Sequence, residues 1–236
     1  LKTVMDFDLT FTCQKAFGEV CSNNEGSEAG LFKIYEVIAQ DFLFPNPNNV
    51  LTFLDNHDLG RFMQKGETDL RRYKQAIAFL LTTRGIPQIY YGTEILMTGT
   101  KAEGDGVIRT DFPGGWAGDP KDAFTPEGRT DLQNEAWNYM KKILNWRKHC
   151  DAVKEGKLIH YTPDGTGCYV YARVKDNKTV LVLMNGTDQT QTLDMNRFNE
   201  VVKDYKSGKD IITDTTVAID KAVQIPARGV YILELN

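Results

Sequence analysis

The chain has 236 residues, of which 41% are hydrophobic and 25% are charged, and its formal net charge is −4. These values are ordinary for a globular protein with a buried core. The acidic balance gives no electrostatic reason to expect binding to nucleic acid or to an anionic membrane. The longest apolar stretch, Ala76–Leu81, is far too short to form a transmembrane segment. Because the sequence starts at Leu1, inside a strand-like segment, we expect the natural N-terminus to be missing.

The N-terminal part of the sequence alternates strand-like and helix-like segments. Thr3–Phe7 is predicted to be a short strand, and a loop rich in Gly, Ser and Asn follows from Gly18 to Gly30. A helix is predicted next, because apolar residues recur there at helical spacing. Its apolar face consists of Leu31, Ile34, Tyr35, Ile38 and Phe42. Pro45 and Pro47 are expected to end this helix before the apolar run that starts at Val50, which is typical of a buried parallel strand.

A second series of helix, strand and helix follows. Thr68 is the predicted N-cap of the first helix, which ends at Gly85. Ile86–Tyr91 is predicted to be a strand, and a Gly-rich loop runs from Gly92 to Gly128. The spacing Thr130-x-x-Gln133 is that of a capping box and predicts the start of another helix. The predicted apolar faces are Leu70, Tyr73, Ile77, Leu80 and Leu81 in the first helix and Leu132, Ala136, Tyr139, Met140, Ile143 and Leu144 in the second.

After about Lys154 the helical periodicity disappears. Short β-rich runs separated by turn signals replace it, which is the pattern of an antiparallel β-sandwich. The predicted strands are Leu158–Tyr161, Tyr169–Val174, Val180–Met184, Gln191–Asp194, Ile211–Thr213, Val217–Ile219 and Val230–Leu235. We place the boundary near residues 150–156, which gives an α/β domain over 1–153 and an all-β domain over 154–236.

The first domain thus contains three β/α units, whereas a closed (β/α)8 barrel needs eight. A piece with only three parallel strands leaves a sheet edge exposed. We therefore predict that the chain is the C-terminal portion of a larger enzyme. A dimer formed through the exposed edge, or by the complete enzyme, is a further hypothesis.

The four cysteines are Cys13, Cys21, Cys150 and Cys168. None of them forms a C-x-x-C pair, so the sequence gives no sign of a structural zinc site. Cys13 and Cys21 are predicted to share one loop, where they could form a disulfide. Four free thiols are the favoured interpretation.

The predicted strand that starts at Val50 ends in Asn56-His57-Asp58, and this is the main functional signal. In a β/α barrel, side chains at the carboxyl ends of the strands carry the chemistry. A carboxylate there can stabilise positive charge or accept hydrogen bonds from sugar hydroxyls, and an imidazole can bind the same hydroxyls. A turn with a helix-capping aspartate, or half of a metal site, is the alternative, and the spacing alone does not decide between them.

Two motifs resemble signatures of the α-amylase family of glycoside hydrolases. Phe53-Leu54-Asp55-Asn56-His57-Asp58, followed by Arg61, resembles the family's fourth signature region, and Gly85–Glu94 resembles its motif on the eighth barrel strand. Val4-Met5-Asp6-Phe7 is similar to the strand-six segment of the neopullulanase and cyclomaltodextrinase branch. Arg109–Trp116 is similar to the same branch. The resemblance implies strands six to eight of a TIM barrel followed by the family's C-terminal β-sandwich.

The resemblance also implies roles for single residues. Asp58 matches the third catalytic carboxylate, which stabilises the transition state, and His57 matches a histidine that binds sugar hydroxyls at the cleavage subsite. Asn56, Arg61 and Trp116 are implied as substrate-binding residues, Trp116 by stacking on a sugar face. Asp6 and Asp8, on one face of the predicted first strand, have no catalytic role in the family.

The family's nucleophile and acid/base carboxylates belong to barrel strands four and five, which this chain does not contain. A retaining glycosidase needs both. We therefore expect a complete enzyme that cleaves α-glucosidic bonds in maltooligosaccharides, pullulan or cyclodextrins with retention, and an isolated chain that is inactive. The alternative is a noncatalytic carbohydrate-binding or structural remnant.

The partner implied by the resemblance is an α-glucan, and the family suggests a periplasmic or secreted location. Calcium is common in the family, so calcium binding is possible in the complete enzyme. No calcium ligand is identified in this sequence, and no other cofactor is expected.

Overall fold

The computed structural model describes residues 3–21, 29–163 and 165–235, and these residues form seven α-helices. The part of the predicted Gly18–Gly30 loop from 22 to 28 lies outside the described residues. The helices are α1 (Phe7–Ala16), α2 (Leu31–Ile38), α3 (Arg71–Thr82), α4 (Asp105–Ile108), α5 (Asp131–Arg147), α6 (Asp151–Glu155) and α7 (Asn199–Val202). No helix in the described part is long and apolar enough to cross a membrane.

The same residues contain ten β-strands. These are β1 (Leu51–Thr52), β2 (Ile86–Pro87), β3 (Lys157–Tyr161), β4 (Cys168–Lys175), β5 (Lys178–Asn185), β6 (Gln191–Asp194), β7 (Ser207–Asp210), β8 (Thr216–Ala218), β9 (Ala222–Ile225) and β10 (Val230–Leu235). The first two strands belong to the N-terminal part of the chain and the other eight to the C-terminal part.

The N-terminal part contains a narrow parallel sheet, as predicted. Leu51 in β1 pairs with Ile86 in β2, and Met5 forms a parallel bridge to Leu51 on the other side. Three chain segments therefore run side by side in the same direction. Within the described residues, no strand pairs with the far side of Ile86 or of Met5. The fold is the C-terminal part of a barrel that remains open at both edges.

The prediction of a strand over Thr3–Phe7 is wrong except at Met5, which forms the parallel bridge to Leu51. Asp6 accepts a hydrogen bond from the Leu9 backbone N–H at 3.0 Å and so caps α1, which begins at Phe7. Asp8 lies in the first turn of this helix. The two aspartates therefore do not share one face of a strand.

Two further helix boundaries differ from the prediction, and one is confirmed. Helix α2 ends at Ile38, and Phe42 lies in a short 3₁₀ helix with 80% of its surface exposed. Helix α3 begins three residues after Thr68, and the residue at its N-cap is Leu70. The capping box is present at α5, where Thr130 and Gln133 exchange hydrogen bonds between side chain and backbone.

The C-terminal part is an antiparallel β-sandwich, as predicted. A six-stranded sheet has the order β3-β4-β5-β10-β7-β8, and β6 pairs with β9 in a second, two-stranded sheet. The predicted strand Ile211–Thr213 is wrong, because β7 ends at Asp210 and a turn follows it. The strands β7 and β9 were not predicted. The division into domains 1–153 and 154–236 stays a prediction, and its boundary falls within α6.

Helix α3 joins the two parts of the molecule. Its Gln75 is fully buried and donates to the backbone oxygen of Asn185 at 2.7 Å, and its Thr82 shares a 2.6 Å hydrogen bond with Tyr171 of β4. Arg173, also fully buried, donates to the Thr82 backbone oxygen at 3.3 Å. One continuous hydrophobic core includes α1, α2, α3 and α5 together with one face of the six-stranded sheet. The sandwich thus supports the helices that position the small parallel sheet.

All four cysteines are buried, and no disulfide joins any two of them in the described residues. Cys13 lies within α1 and therefore not in a loop with Cys21. The structure agrees with the favoured interpretation in that Cys13 and Cys21 form no disulfide.

Candidate active site

The candidate site begins where β1 ends. After the buried residues Phe53 and Leu54, the side chain of Asn56 accepts a hydrogen bond from the Asp58 backbone N–H at 2.8 Å. This hydrogen bond closes a short turn after the strand, of a kind that asparagine side chains often form. Asn56 itself is buried beneath the turn. The structure thus gives it a role in shaping the loop, and its contact with substrate stays a prediction.

The turn presents His57 and Asp58 to solvent. Their side chains are 63% and 59% exposed, and the His57 Nε2 lies 3.2 Å from the Asp58 Oδ2. The Arg109 guanidinium donates to the Asp58 Oδ1 at 3.1 Å and to the His57 backbone oxygen at 2.9 Å. The same guanidinium donates to Asp105 at 2.9 Å. The strand end therefore displays an accessible carboxylate next to an imidazole and a cation, groups that can bind sugar hydroxyls.

Arg109 was not predicted as a site residue, although it belongs to one of the motifs that carried the resemblance. It is 51 positions from Asp58 in sequence and follows the short helix α4. Since its contacts are to a side chain and a backbone oxygen far away in sequence, only the tertiary structure could identify it.

Arg61 lies beneath the exposed residues. Its guanidinium is 4.0 Å from the Tyr90 ring centroid and 4.9 Å from that of Tyr91, and it donates to the Tyr91 backbone oxygen. Its Nε and Nη2 are buried and have no hydrogen-bond partner in the described part of the chain. Stacking of this kind stabilises a partly desolvated cation. Arg61 therefore ties the loop after β1 to the segment after β2, and direct contact with substrate stays a prediction.

Asp55 connects the start of the loop that follows β1 with Phe62, at its end, and with Thr93, in the segment after β2. It is only 2% exposed and accepts hydrogen bonds from the Phe62 backbone N–H at 2.9 Å and from the Thr93 hydroxyl at 3.0 Å. Burial raises its pKa above the ordinary value, although these hydrogen bonds and Arg61 oppose the shift. Burial also raises the pKa of the neighbouring Glu94 carboxyl. Asp55, the Phe62 backbone and Thr93 thus form a buried hydrogen-bonded network close to the exposed Asp58 in sequence.

Replacing Asp55 with Asn is expected to preserve the fold and to remove part of the pH dependence of the protein's stability. Because the folded-state pKa of Asp55 is raised, the folded protein binds more protons than the unfolded chain above the ordinary value of 3.8, so stability falls as pH rises through the folded-state pKa. Asn can accept from Phe62 and donate to Thr93 without ionising. We therefore expect the free energy of unfolding of the variant to rise relative to that of the wild type as pH increases. Urea unfolding at several pH values from 4 to about 7 measures both.

Asp55→Ala is the matched comparison. It leaves the Phe62 N–H and the Thr93 hydroxyl without their partner, which costs about 1–3 kcal/mol. If Asp55→Asn is destabilised as much as Asp55→Ala at every pH, the raised pKa of the buried Asp55 carboxyl does not account for the pH dependence of stability.

Trp116 lies in the long loop that follows β2. Its side chain is 69% exposed, and its backbone N–H donates to Asp119 at 3.1 Å. The structure gives no contact between Trp116 and Asp58. Stacking on a sugar face stays a prediction for this residue.

No group of three or more His, Cys, Asp or Glu side chains that could hold a metal occurs among residues 3–21, 29–163 and 165–235. Asp58 pairs with Arg109, and Asp55 accepts hydrogen bonds from a backbone N–H and a hydroxyl. No calcium site is therefore assigned to the described part of the chain.

Two family profiles match this sequence. The profile of the alpha amylase catalytic domain matches residues 1–142, which is more than half of the chain. The chain belongs to the α-amylase family. The profile of the cyclo-malto-dextrinase C-terminal domain matches residues 158–234, within the β-sandwich.

Curated relatives from bacteria match most of the chain. A cyclomaltodextrin glucanotransferase of Thermoanaerobacterium thermosulfurigenes is 32% identical over 177 residues, which are 75% of this chain and 22% of that protein. Another from Bacillus licheniformis is 40% identical over 184 residues, covering 78% of this chain and 23% of that protein. An alpha-amylase of Niallia circulans is 29% identical over 177 residues, which are 75% of this chain and 29% of that protein. The chain thus spans less than a third of the length of these relatives.

A solved structure supports the same fold for this family member. The alpha-amylase from Geobacillus thermoleovorans, crystallised with acarbose, superposes with a TM-score of 0.77 at 24% identity. The match covers 100% of this chain and 48% of that one. The partial barrel followed by a sandwich is therefore the C-terminal half of a known architecture.

Proposed function

We propose that this chain forms the C-terminal part of a retaining enzyme that cleaves α-glucosidic bonds of starch-type glucans. The observation that carries the proposal is the exposed Asp58 carboxylate at the end of β1, next to His57 and Arg109. A carboxylate in this position can stabilise the positive charge of an oxocarbenium-like transition state. His57 would bind hydroxyls of the same sugar.

Membership of the α-amylase family supports the substrate class. Within it, we propose the neopullulanase and cyclomaltodextrinase branch, on the basis of the Val4–Phe7 and Arg109–Trp116 motifs and the cyclo-malto-dextrinase C-terminal profile. The curated relatives include several cyclomaltodextrin glucanotransferases. Transfer of the glycosyl group to a sugar is therefore the second candidate for the reaction of the complete enzyme, with hydrolysis as the first.

The proposal assigns the nucleophile and the acid/base to barrel strands that this chain does not contain, so the isolated chain is expected to be inactive. Purified chain incubated with maltoheptaose, pullulan or β-cyclodextrin should release no reducing sugar above the blank. Joining it to a segment that supplies barrel strands one to five should produce activity on at least one of these substrates, because only then do the acid/base and nucleophile face each other.

The matched control is the chain carrying Asp58→Asn. Any trace activity that is equal in both preparations comes from a contaminating enzyme. Activity that rises with the concentration of the isolated chain and disappears in Asp58→Asn would contradict the predicted inactivity. A joined protein without activity on any of the three glucans would contradict the proposed function itself.

A further inference from the structure

Arg109 reaches the Asp58 carboxylate from the long loop after β2. Its Nη2 donates to the Asp58 Oδ1 at 3.1 Å and to the Asp105 Oδ2 at 2.9 Å, and its Nε donates to the His57 backbone oxygen at 2.9 Å. The other Asp58 oxygen, Oδ2, lies 3.2 Å from the His57 Nε2. Each oxygen of the carboxylate therefore has a polar neighbour, and Arg109 and His57 together define its orientation.

The backbone on both sides of Arg109 is held by the segment after β2. The Tyr90 hydroxyl donates to the Ile108 backbone oxygen at 3.3 Å, and the Tyr91 hydroxyl donates to the Thr110 backbone oxygen at 2.9 Å. The Ile108 side chain is fully buried. A long exposed side chain on a flexible loop samples many rotamers. Arg109 instead extends from a backbone that is anchored immediately before and after it, so the loop presents the guanidinium from a defined position.

Helix α4 brings the side chains of Asp105 and Arg109 together. Arg109 follows the helix directly, and its backbone N–H donates to the Asp105 backbone oxygen at 3.1 Å. Residues four apart are neighbours on a helix surface, so the carboxylate and the guanidinium meet there. Lys101 pairs with the same carboxylate from the other side. Asp105 thus anchors Arg109 from within its own loop.

Folding stability does not explain this arrangement. The Arg109 and Asp58 side chains are 42% and 59% exposed, and exposed ion pairs contribute little to stability. What the contacts determine is where the Asp58 carboxylate lies. Its position matters for a group that acts on a transition state, because a displacement of about 1 Å can lower a rate by about 100-fold.

The position of Asp105 also limits how far Arg109 neutralises Asp58. A cation that paired with Asp58 alone would oppose the attraction between this carboxylate and positive charge on a sugar. The same Nη2 donates to Asp105, so the guanidinium charge is shared between two carboxylates. Arg109 can therefore orient Asp58 while Asp58 keeps part of its negative charge for a bound sugar.

We propose that Arg109 is a positioning residue for the Asp58 carboxylate in the complete enzyme, and that Asp105 supports it by anchoring the guanidinium and sharing its charge. The inference rests on the proposed function for the role of Asp58. It requires no contact between Arg109 and the substrate.

Steady-state kinetics of the complete enzyme on maltoheptaose test the proposal. Arg109→Met should lower kcat by about 10- to 100-fold and change KM by less than about threefold, because the residue acts through Asp58 and not on the sugar. Arg109→Lys should recover only part of the loss, since an ammonium keeps the charge without the planar fork. Asp105→Asn should lower kcat by about three- to tenfold, because Arg109 then loses its anchor and pairs with Asp58 alone.

The double variant gives the sharpest result. Once Arg109 is Met, Asp105→Asn should change kcat by no more than about twofold, because the two side chains act as one unit. Arg71→Met is the matched control, since Arg71 is an exposed arginine, 53% accessible, that pairs with Asp69 away from the site. It should leave kcat within about twofold of the wild type. Urea unfolding of the 236-residue chain should show the same midpoint for Arg109→Met as for the wild type.

The contact itself is measured in the 236-residue chain, by NMR detection of the exchange of the Arg109 Nε–H with water, which should be faster in Asp105→Asn than in the wild type. An unchanged kcat in Arg109→Met, additive effects of the two substitutions, a lowered urea midpoint in Arg109→Met or equal exchange rates in the two chains would each overturn the proposal. A wild-type complete enzyme without activity on any glucan would refute the proposed function, and the exchange rates would still show whether Asp105 anchors Arg109 beside Asp58.

Discussion

Asp58→Asn in the complete enzyme is expected to lower kcat by about 10²–10³-fold, the effect of removing one preorganised charge from a transition state. The physical reason is that positive charge develops on the sugar only in the transition state. Asn has nearly the same shape as Asp and can still accept from Arg109, so substrate binding should change little. Michaelis–Menten measurements on maltoheptaose should show kcat and kcat/KM falling together.

Asp69→Asn serves as the control for this experiment. Asp69 is an exposed carboxylate that pairs with Arg71 at the start of α3 and contacts no residue of the site. Its replacement should change kcat by less than about twofold. An Asp58→Asn enzyme with unchanged kcat and a raised KM would show that Asp58 only binds the substrate, and the role of transition-state stabiliser would then be wrong.

The elements that the sequence predicted best are those in which local signals agree with packing. The capping box at Thr130 and the regular apolar spacing in α5 both predict the helix that forms there. Strands β6 and β10 have the predicted bounds, because their apolar residues alternate or lie between turn residues. In each case hydrophobic periodicity and boundary residues give the same answer.

The failures occur where a distant contact decides the local structure. Thr3–Phe7 has strand-like residues, yet Asp6 caps a helix and is buried against Arg84, which is 78 positions away. The strand β7, Ser207–Asp210, is polar and has no strand signal of its own, but its pairing with β10 stabilises it. Sequence periodicity contains no information on such partners.

In the candidate site, too, some residues have a local sequence signal and others depend on distant contacts. Its exposed residues, His57 and Asp58, are recognisable because polar residues directly follow an apolar strand. The supporting roles of Asp55 and Arg109 cannot be inferred from the sequence, since they depend on contacts with Thr93 and Asp58, which are 38 and 51 positions away. Arg61 was predicted to bind substrate, but its observed contacts are with the rings and backbone beneath the site.

Arg84→Met is expected to destabilise the chain by about 3–5 kcal/mol, because it leaves two carboxylates without their cation. Arg84 is fully buried and donates to Asp6 at 2.7 Å and to Asp41 at 2.7 Å. It precedes β2, while Asp6 caps α1 and Asp41 begins the 3₁₀ helix before β1. The ion pairs therefore connect the segment before β2 with the N-terminus of α1 and with the 3₁₀ helix Asp41–Leu43. Urea unfolding at pH 7, followed by circular dichroism, measures the loss.

Two further variants separate the charge effect from the loss of packing. Arg71→Ala removes an exposed arginine from its pair with Asp69 and should cost no more than about 1 kcal/mol. Adding Asp6→Asn and Asp41→Asn to Arg84→Met should restore a large part of the lost stability, because neutral amides need no counter-charge and Asn still caps α1. If Arg84→Met costs as little as Arg71→Ala, the buried ion pairs do not stabilise the connection between these segments. If the triple variant is no more stable than Arg84→Met, the loss comes from packing and not from the unpaired charges.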